Sequence, residues 1–450
     1  MIESCGVTPA CRKWSAYFQK GHRQPAGIRR QADAQSPGRY CHQSSLGYSL
    51  ILEVTSMNRR FVSRRTFIKQ SAVSAGSACV GLTGLKGRVQ QAAGSRQEVP
   101  AGNLVLELQK LVPSLMTKFG VPGLSIALIQ GAKILWHQGF GVRDITTKEP
   151  VTSDTVYEAA SLSKPAFAYA ALKMVEKGML GLDDPLDRFL PQPFMPNEPR
   201  LKLITARMVL SHTSGLPAAR SRGKPLVLVS DPGKGFHYSP TGFDYLQSVV
   251  RLLSGQPLAD FMRTNVIEPF GLVNSSFGWD NKYDERIAQA YDKRGAPGQT
   301  FNERYRRASE EWRNALAKDF PELSYPSAAA GLYSTAGDFA RFMIEIIAPS
   351  KKDAWHLSES SLNEMLKPQS RVDGAVSWGL GWGLQHIRSG DAFWHWGNWA
   401  GLYQHFAMAL RDERKGVVIM TNSGNGLKLC KQLAPAAIGV DIKPLSGFLN

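Results

Sequence analysis

Val121 to Gln130 is a short apolar run that reads as a buried strand. Gln130-Gly131-Ala132-Lys133 reads as a tight turn, and Ile134 to Gly141 as the hairpin partner. Ahead of it, Leu and Val recur at helical spacing from Leu104 to Phe119, so the pattern opens helix, strand, strand. Helical signals dominate the middle: Pro165 to Lys177 ending at Gly178, Gly242 to Ser254, and a charged run from Glu303 to Asp319. Strand signals return in Gly383 to His386, Tyr403 to Leu410 and Gly416 to Thr421, before a last helix from Gly426 to Ala437. Strands at both ends around a helical middle predict an α+β fold: a central antiparallel sheet flanked by helices, with a mostly helical insertion. The sheet part is expected over about 95–160 and 325–450, and the helical part over about 165–320.

The chain has 450 residues, 43% hydrophobic and 20% charged, an ordinary globular composition. Its formal charge of +17 is unevenly spread: residues 1–94 hold 14 Lys+Arg against 3 Asp+Glu, leaving 40 against 34 for residues 95–450. A weakly basic body without a Lys/Arg run argues against nucleic acid as a partner. The stretch Ser63-Arg64-Arg65-Thr66-Phe67-Ile68-Lys69 resembles a twin-arginine export signal, and the Ala/Gly/Ser-rich segment from Ser71 to Leu85 suits its apolar region. Residues 57–94 are therefore expected to be a signal peptide, with cleavage near Ala92-Ala93, a periplasmic destination, and membrane contact through export alone. Because such signals sit at chain starts, residues 1–56 are expected to be a non-native or disordered extension, with Met57 as the start. Cys430 is the sole cysteine of the body, so no disulfide within it is expected.

Ser161-Leu162-Ser163-Lys164 puts a hydroxyl and an amine three residues apart, on one face when they open a helix. A serine hydroxyl becomes a nucleophile when a neighbour takes its proton, and a desolvated lysine can do so. The second such spacing, Ser221 to Lys224, lies in a Gly/Pro/Arg loop with no helix behind it.

In order along the chain come Thr155-Val156-Tyr157-Glu158-Ala159-Ala160-Ser161-Leu162-Ser163-Lys164, Leu182-Asp183-Asp184-Pro185-Leu186, the segment Ile204 to Leu216 containing Ser211-His212-Thr213-Ser214-Gly215, Tyr238-Ser239-Pro240, Ala329 to Ala336, and His395-Trp396-Gly397. Together they resemble the superfamily of class C β-lactamases, D,D-peptidases and related esterases. The resemblance implies a serine hydrolase acting through an acyl-enzyme on an ester or on a D-amino-acid peptide or β-lactam amide. It implies Ser161 as nucleophile, Lys164 as its proton-handling partner, and Tyr238 as a relay whose phenol pKa is lowered by Lys164. It places the oxyanion donors at the backbone N–H groups of Ser161 and Asn398, with His395 and Gly397 lining the substrate. No metal or organic cofactor is implied; the partner expected is a small-molecule or peptidoglycan-derived substrate. His212 is expected to be structural, and Trp378, Trp382, Trp394, Trp396 and Trp399 to be packing.

Two positions depart from that pattern. The second motif commonly ends in Asn, and Pro240 stands there; His395 replaces the lysine of the third. Both weaken amide or β-lactam turnover relative to ester hydrolysis. A non-catalytic penicillin or peptidoglycan sensor is the alternative. No Gly-x-Ser-x-Gly elbow and no His-Glu-x-x-His zinc motif occurs.

Overall fold

A computed structural model of the protein describes residues 101–219, 225–319, 325–349, 356–387, 390–440 and 442. The twin-arginine stretch, residues 1–56, the cleavage region and Ser221 to Lys224 lie outside the described residues.

The first helix, α1, spans Ala101–Phe119 and buries Leu108, Val112 and Leu115, which recur at helical spacing on one face. Strands β1 (Gly123–Gln130) and β2 (Lys133–Gly141) form the expected hairpin. Gly131 and Ala132 both adopt positive φ, 61° and 57°, as the tight turn between twisted strands requires. Helix α2, Ser163–Glu176, is buried along nearly its whole length, and helix α3, Pro240–Ser254, is amphipathic and stops at Gly255 with φ 69°. Helix α4, Ala336–Ile347, follows a Thr335 cap. Then come β3 (Ser370–Arg371), β4 (Val376–Trp378), β5 (Gly383–Ile387), β6 (Gly390–Trp399), β7 (Tyr403–Leu410) and β8 (Lys415–Thr421), and helix α5 (Gly426–Ile438).

The eight strands form one antiparallel sheet in the order β2-β1-β8-β7-β6-β5-β4-β3. The early hairpin thus joins the late strands through β1 and β8, as the sequence pattern predicts. Both faces are covered. Leu124, Ile126, Leu128, Val417, Ile419, Phe406 and Met408 share one core with α1 and α5, while Ala127, Ile129, Val418, Met420 and Ala407 share the other with α2 and α4.

The charged run after Glu303 is two helices, Phe301–Arg307 and Glu310–Asp319, parted at Ala308, whose backbone is extended. The middle also contributes Ser276–Phe277 to a small sheet with Leu332–Ser334 and Tyr157–Glu158. That sheet lies directly upstream of Ser161.

Candidate active site

Ser161 sits in a single 3₁₀ turn, Ala160–Leu162, that runs into α2. Ala160, fully buried, has φ 50°, a left-handed conformation that typically costs a non-glycine residue about 1–2 kcal/mol. Its neighbours hold it there. Ala159 N–H donates to the Leu332 carbonyl at 2.8 Å, and Leu162 N–H to the Ala159 carbonyl at 3.1 Å. The Ser163 hydroxyl donates to the Ala160 carbonyl at 2.6 Å and accepts from Leu332 N–H at 2.9 Å. The serine between nucleophile candidate and lysine is thus the bracket of the turn.

Lys164 is 0% exposed. Its Nζ donates to Ser161 Oγ at 3.0 Å and to the Ala329 carbonyl at 2.9 Å. Burial disfavours the charged amine and pushes it down to about 7, against a smaller opposing effect of the Asp244 carboxylate. Near neutral pH a large fraction is therefore free amine, which can keep the bond to Ala329 and accept the Ser161 proton with its lone pair.

Tyr238 enters two residues before α3. Its ring lies under the Lys164 ammonium at 5.0 Å and against His212 at 4.3 Å and Trp396 at 4.7 Å. The phenol is buried, near Ser161 yet without a hydrogen bond of good geometry. The expectation that Lys164 lowers this phenol is corrected: among the described residues no hydrogen bond joins the amine to the phenol oxygen, and burial raises the phenol above its ordinary value, keeping it neutral. Next to it, Ser239 caps α3, accepting from Gly242 N–H at 3.0 Å, and Pro240 occupies the first helical turn. Proline suits that place because its fixed φ is helical and its missing N–H is not needed there. The departure from Asn thus serves the start of α3.

His212, with φ 56°, does more than fill a turn. Its Nδ1 accepts from Ser239 N–H at 3.0 Å, which puts the proton of the neutral ring on Nε2. It packs on both Tyr238 and Phe243, and burial holds it far below the usual histidine range, with Lys164 acting in the same direction.

The sheet supplies the opposite wall. Strand β5 pairs with β6 as far as Trp394, whereas β7 pairs with it out to Trp399, so among the described residues one edge of β6 has no strand beside it from His395 to Trp399. There β6 approaches the 3₁₀ turn: a Cβ on Gly397 would lie 2.6 Å from the Ala159 carbonyl and 2.7 Å from the His405 ring. Gly397 therefore lets the strand meet the turn that carries Ser161. His395 is buried beside it and pushed down to about 3, by burial first and by Lys164 second. Its Nδ1 contacts the Trp396 carbonyl at 2.7 Å. The Asn398 side chain accepts from Gly401 N–H at 3.0 Å, bracing the β6–β7 turn.

Glu158, not singled out by sequence reasoning, is buried behind the turn. Its carboxyl accepts from the Thr300 hydroxyl and the Trp399 indole, and burial raises it to about 7. Its main-chain carbonyl accepts from His405 Nε2–H at 2.9 Å, while His405 Nδ1 accepts from Thr421 N–H at 3.2 Å. That carbonyl is the one an i−3 bond from Ser161 N–H would use. Of the five tryptophans, Trp378, Trp382 and Trp394 are core, whereas Trp396 and Trp399 border the site. Among the described residues no group of three His, Cys, Asp or Glu side chains is placed to hold a metal ion.

This combination of an antiparallel sheet, a buried lysine bonded to a helix-start serine, and a strand edge beside it that is unpaired among the described residues is that of a β-lactamase-type fold. The chain matches the Beta-lactamase family over residues 108–437 and belongs to that family. It is 27% identical to penicillin-binding protein 4* of Bacillus subtilis over 70% of this chain and 71% of that one. It is 28% identical to esterase EstB of Burkholderia gladioli over 72% of this chain and 91% of that one. In fold it is similar to the D-alanine carboxypeptidase AmpC of Burkholderia cenocepacia, with a TM-score of 0.62 and 18% identity over 75% of this chain and 99% of that one. These relationships support a serine hydrolase-type activity.

Proposed function

We propose that this protein is an exported serine esterase that works through an acyl-enzyme on Ser161. The observation that carries the reading is the buried Lys164 amine, held near neutrality and bonded at 3.0 Å to the Ser161 hydroxyl. Free Lys164 takes the proton of Ser161 Oγ as the oxygen attacks the ester carbonyl carbon. The oxyanion is met by the backbone N–H groups of Ser161 and Asn398, the latter from the unpaired edge of β6. The tetrahedral intermediate collapses, the C–O bond to the alcohol breaks, and the leaving oxygen takes the proton from the Lys164 ammonium. The neutral phenol of Tyr238, buried and unspent, donates a hydrogen bond to that oxygen. Water then attacks the acyl carbon with Lys164 again as base, releasing the acid and restoring Ser161.

Two features favour an ester over a D-alanyl peptide or a β-lactam. Neutral His395 supplies no fixed positive charge for the carboxylate such substrates carry. Pro240 supplies no side-chain amide for an amide-bearing substrate; a lost hydrogen bond of that kind is worth about 1–3 kcal/mol, or roughly 5- to 150-fold in rate. The similarity to esterase EstB agrees with this choice.

The test is turnover of p-nitrophenyl esters, nitrocefin and a D-Ala-D-Ala peptide by the purified protein and its Ser161→Ala variant. Esters are expected to be hydrolysed about 100-fold faster than the other two, with no turnover by the variant. Binding of nitrocefin with no turnover of any substrate would instead mean a sensor.

A further inference from the structure

Helix α3 starts two residues after Tyr238, and one turn further in it reaches across to the segment that meets Lys164. Asp244 Oδ1 accepts from the Ser327 hydroxyl at 2.6 Å, and Ser327 Oγ accepts from Ala329 N–H at 3.0 Å. Three residues along the same helix, Gln247 Oε1 accepts from Ala328 N–H at 2.6 Å and its amide donates to the Pro326 carbonyl at 2.9 Å. The segment Pro326 to Ala329 is thereby held by two side chains of one helix, Gln247 on its backbone and Asp244 through the Ser327 hydroxyl. Its product is the Ala329 carbonyl, which receives the second hydrogen bond of Lys164.

We infer that Asp244 is a positioning residue for Lys164, acting through Ser327 and the Ala329 carbonyl. The inference rests on the reading of Lys164 as the base for Ser161. Among the described residues the amine meets Ser161, the Ala329 carbonyl and the Tyr238 and Phe243 rings, and the titratable groups coupled to it are His212, His395 and the Asp244 carboxylate. Both histidines are held neutral by burial and the phenol is neutral, so among the described residues Asp244 is the anion acting on the amine, and it favours the protonated form. Asp244 therefore does two separable things: it aims the amine through a hydroxyl and a carbonyl, and it keeps the amine from losing its proton too readily.

The pH profile of ester kcat/KM separates them. In Asp244→Asn the amide oxygen still accepts from Ser327 while the charge is gone, so the acid limb moves to lower pH with plateau kcat within about 3-fold of wild type. In Ser327→Ala the charge stays and the link is cut, so the limb stays where it was while kcat falls about 10-fold or more at little change in KM, in keeping with the sensitivity of proton transfer to placement. Ser327→Thr, which keeps the hydroxyl, restores kcat. An unmoved limb in Asp244→Asn, or wild-type kcat in Ser327→Ala, overturns the inference. A wild-type profile with no acid limb removes the Lys164 reading and this inference with it, whereas a limb that Asp244→Asn leaves in place removes this inference alone.

Discussion

Ala160 keeps a left-handed backbone beside the Ser161 hydroxyl because Ser163 and Leu332 hold its carbonyl and its neighbours. Replacing Ser163 by alanine leaves the buried Leu332 N–H without its acceptor, which typically costs about 1–3 kcal/mol. Urea unfolding of Ser163→Ala is expected to show a loss of that size, with a lower kcat as the turn relaxes. Tyr238 makes the opposite case. Among the described residues its hydroxyl has no hydrogen bond of good geometry to lose, so Tyr238→Phe is expected to leave the urea midpoint unchanged or raise it, while ester turnover falls about 100-fold or more. A large loss of stability with unimpaired turnover would make Tyr238 a core residue. At this scale the sequence made the hydroxyl, the amine and the phenol legible, because each has a side-chain signature at a motif position. It hid the Ala329 carbonyl and the Asp244 link, since a backbone acceptor has no signature and Asp244 meets Ser327 across 83 residues of chain.

Among the elements, β6 decides whether the site exists. Its edge from His395 to Trp399 lies against the 3₁₀ turn because Gly397 has no side chain. An alanine there meets the Ala159 carbonyl and the His405 ring, both fixed, and such overpacking costs about 1–3 kcal/mol. Gly397→Ala is expected to lower kcat/KM by about 100-fold, the scale of a 1 Å misplacement, and thermal melting checks that the fold survives. Wild-type kinetics would mean that this edge takes no part. The strand itself was hard to read. Gly390–Trp399 carries aromatic or apolar residues at both odd and even positions, since Phe393 belongs to one core and Trp394 to the other, and a strand buried on both faces shows no alternation. The β1–β2 hairpin was legible because its turn demands Gly131 and its strands are bounded by it. The break at Ala308 was not, since the charged sequence around it is helical on both sides.

Across the whole molecule, Glu158 ties three distant stretches of chain together: its own strand before Ser161, Thr300 in the middle of the sequence and Trp399 at the end of β6. Such a tie is invisible to local pattern, whereas the closure of the sheet by both ends of the body was legible from where the strand signals fell. Because burial raises Glu158 from 4.5 to about 7, the folded chain keeps its proton over a range where the unfolded chain has lost it. Its contribution to stability is therefore fully present below about 4.5 and falls as pH rises toward 7, by at most about 3 kcal/mol. Urea unfolding of Glu158→Gln is expected to gain on wild type by up to that amount between pH 4.5 and 7.5; a constant difference would contradict the buried, proton-holding carboxyl. Lys164 acts in another window and with the opposite sign: lowered from 10.5 to about 7, it makes stability rise with pH between those values. The same free amine is what the proposed chemistry uses. Its most direct test is the rate at which a fluorophosphonate ester probe labels the protein between pH 5 and 9, with the adduct located by peptide mass spectrometry. The account predicts an adduct on Ser161 whose rate rises through a single ionisation near 7 and which vanishes in Ser161→Ala; a rate flat across that range, or an adduct that survives the substitution, would contradict it.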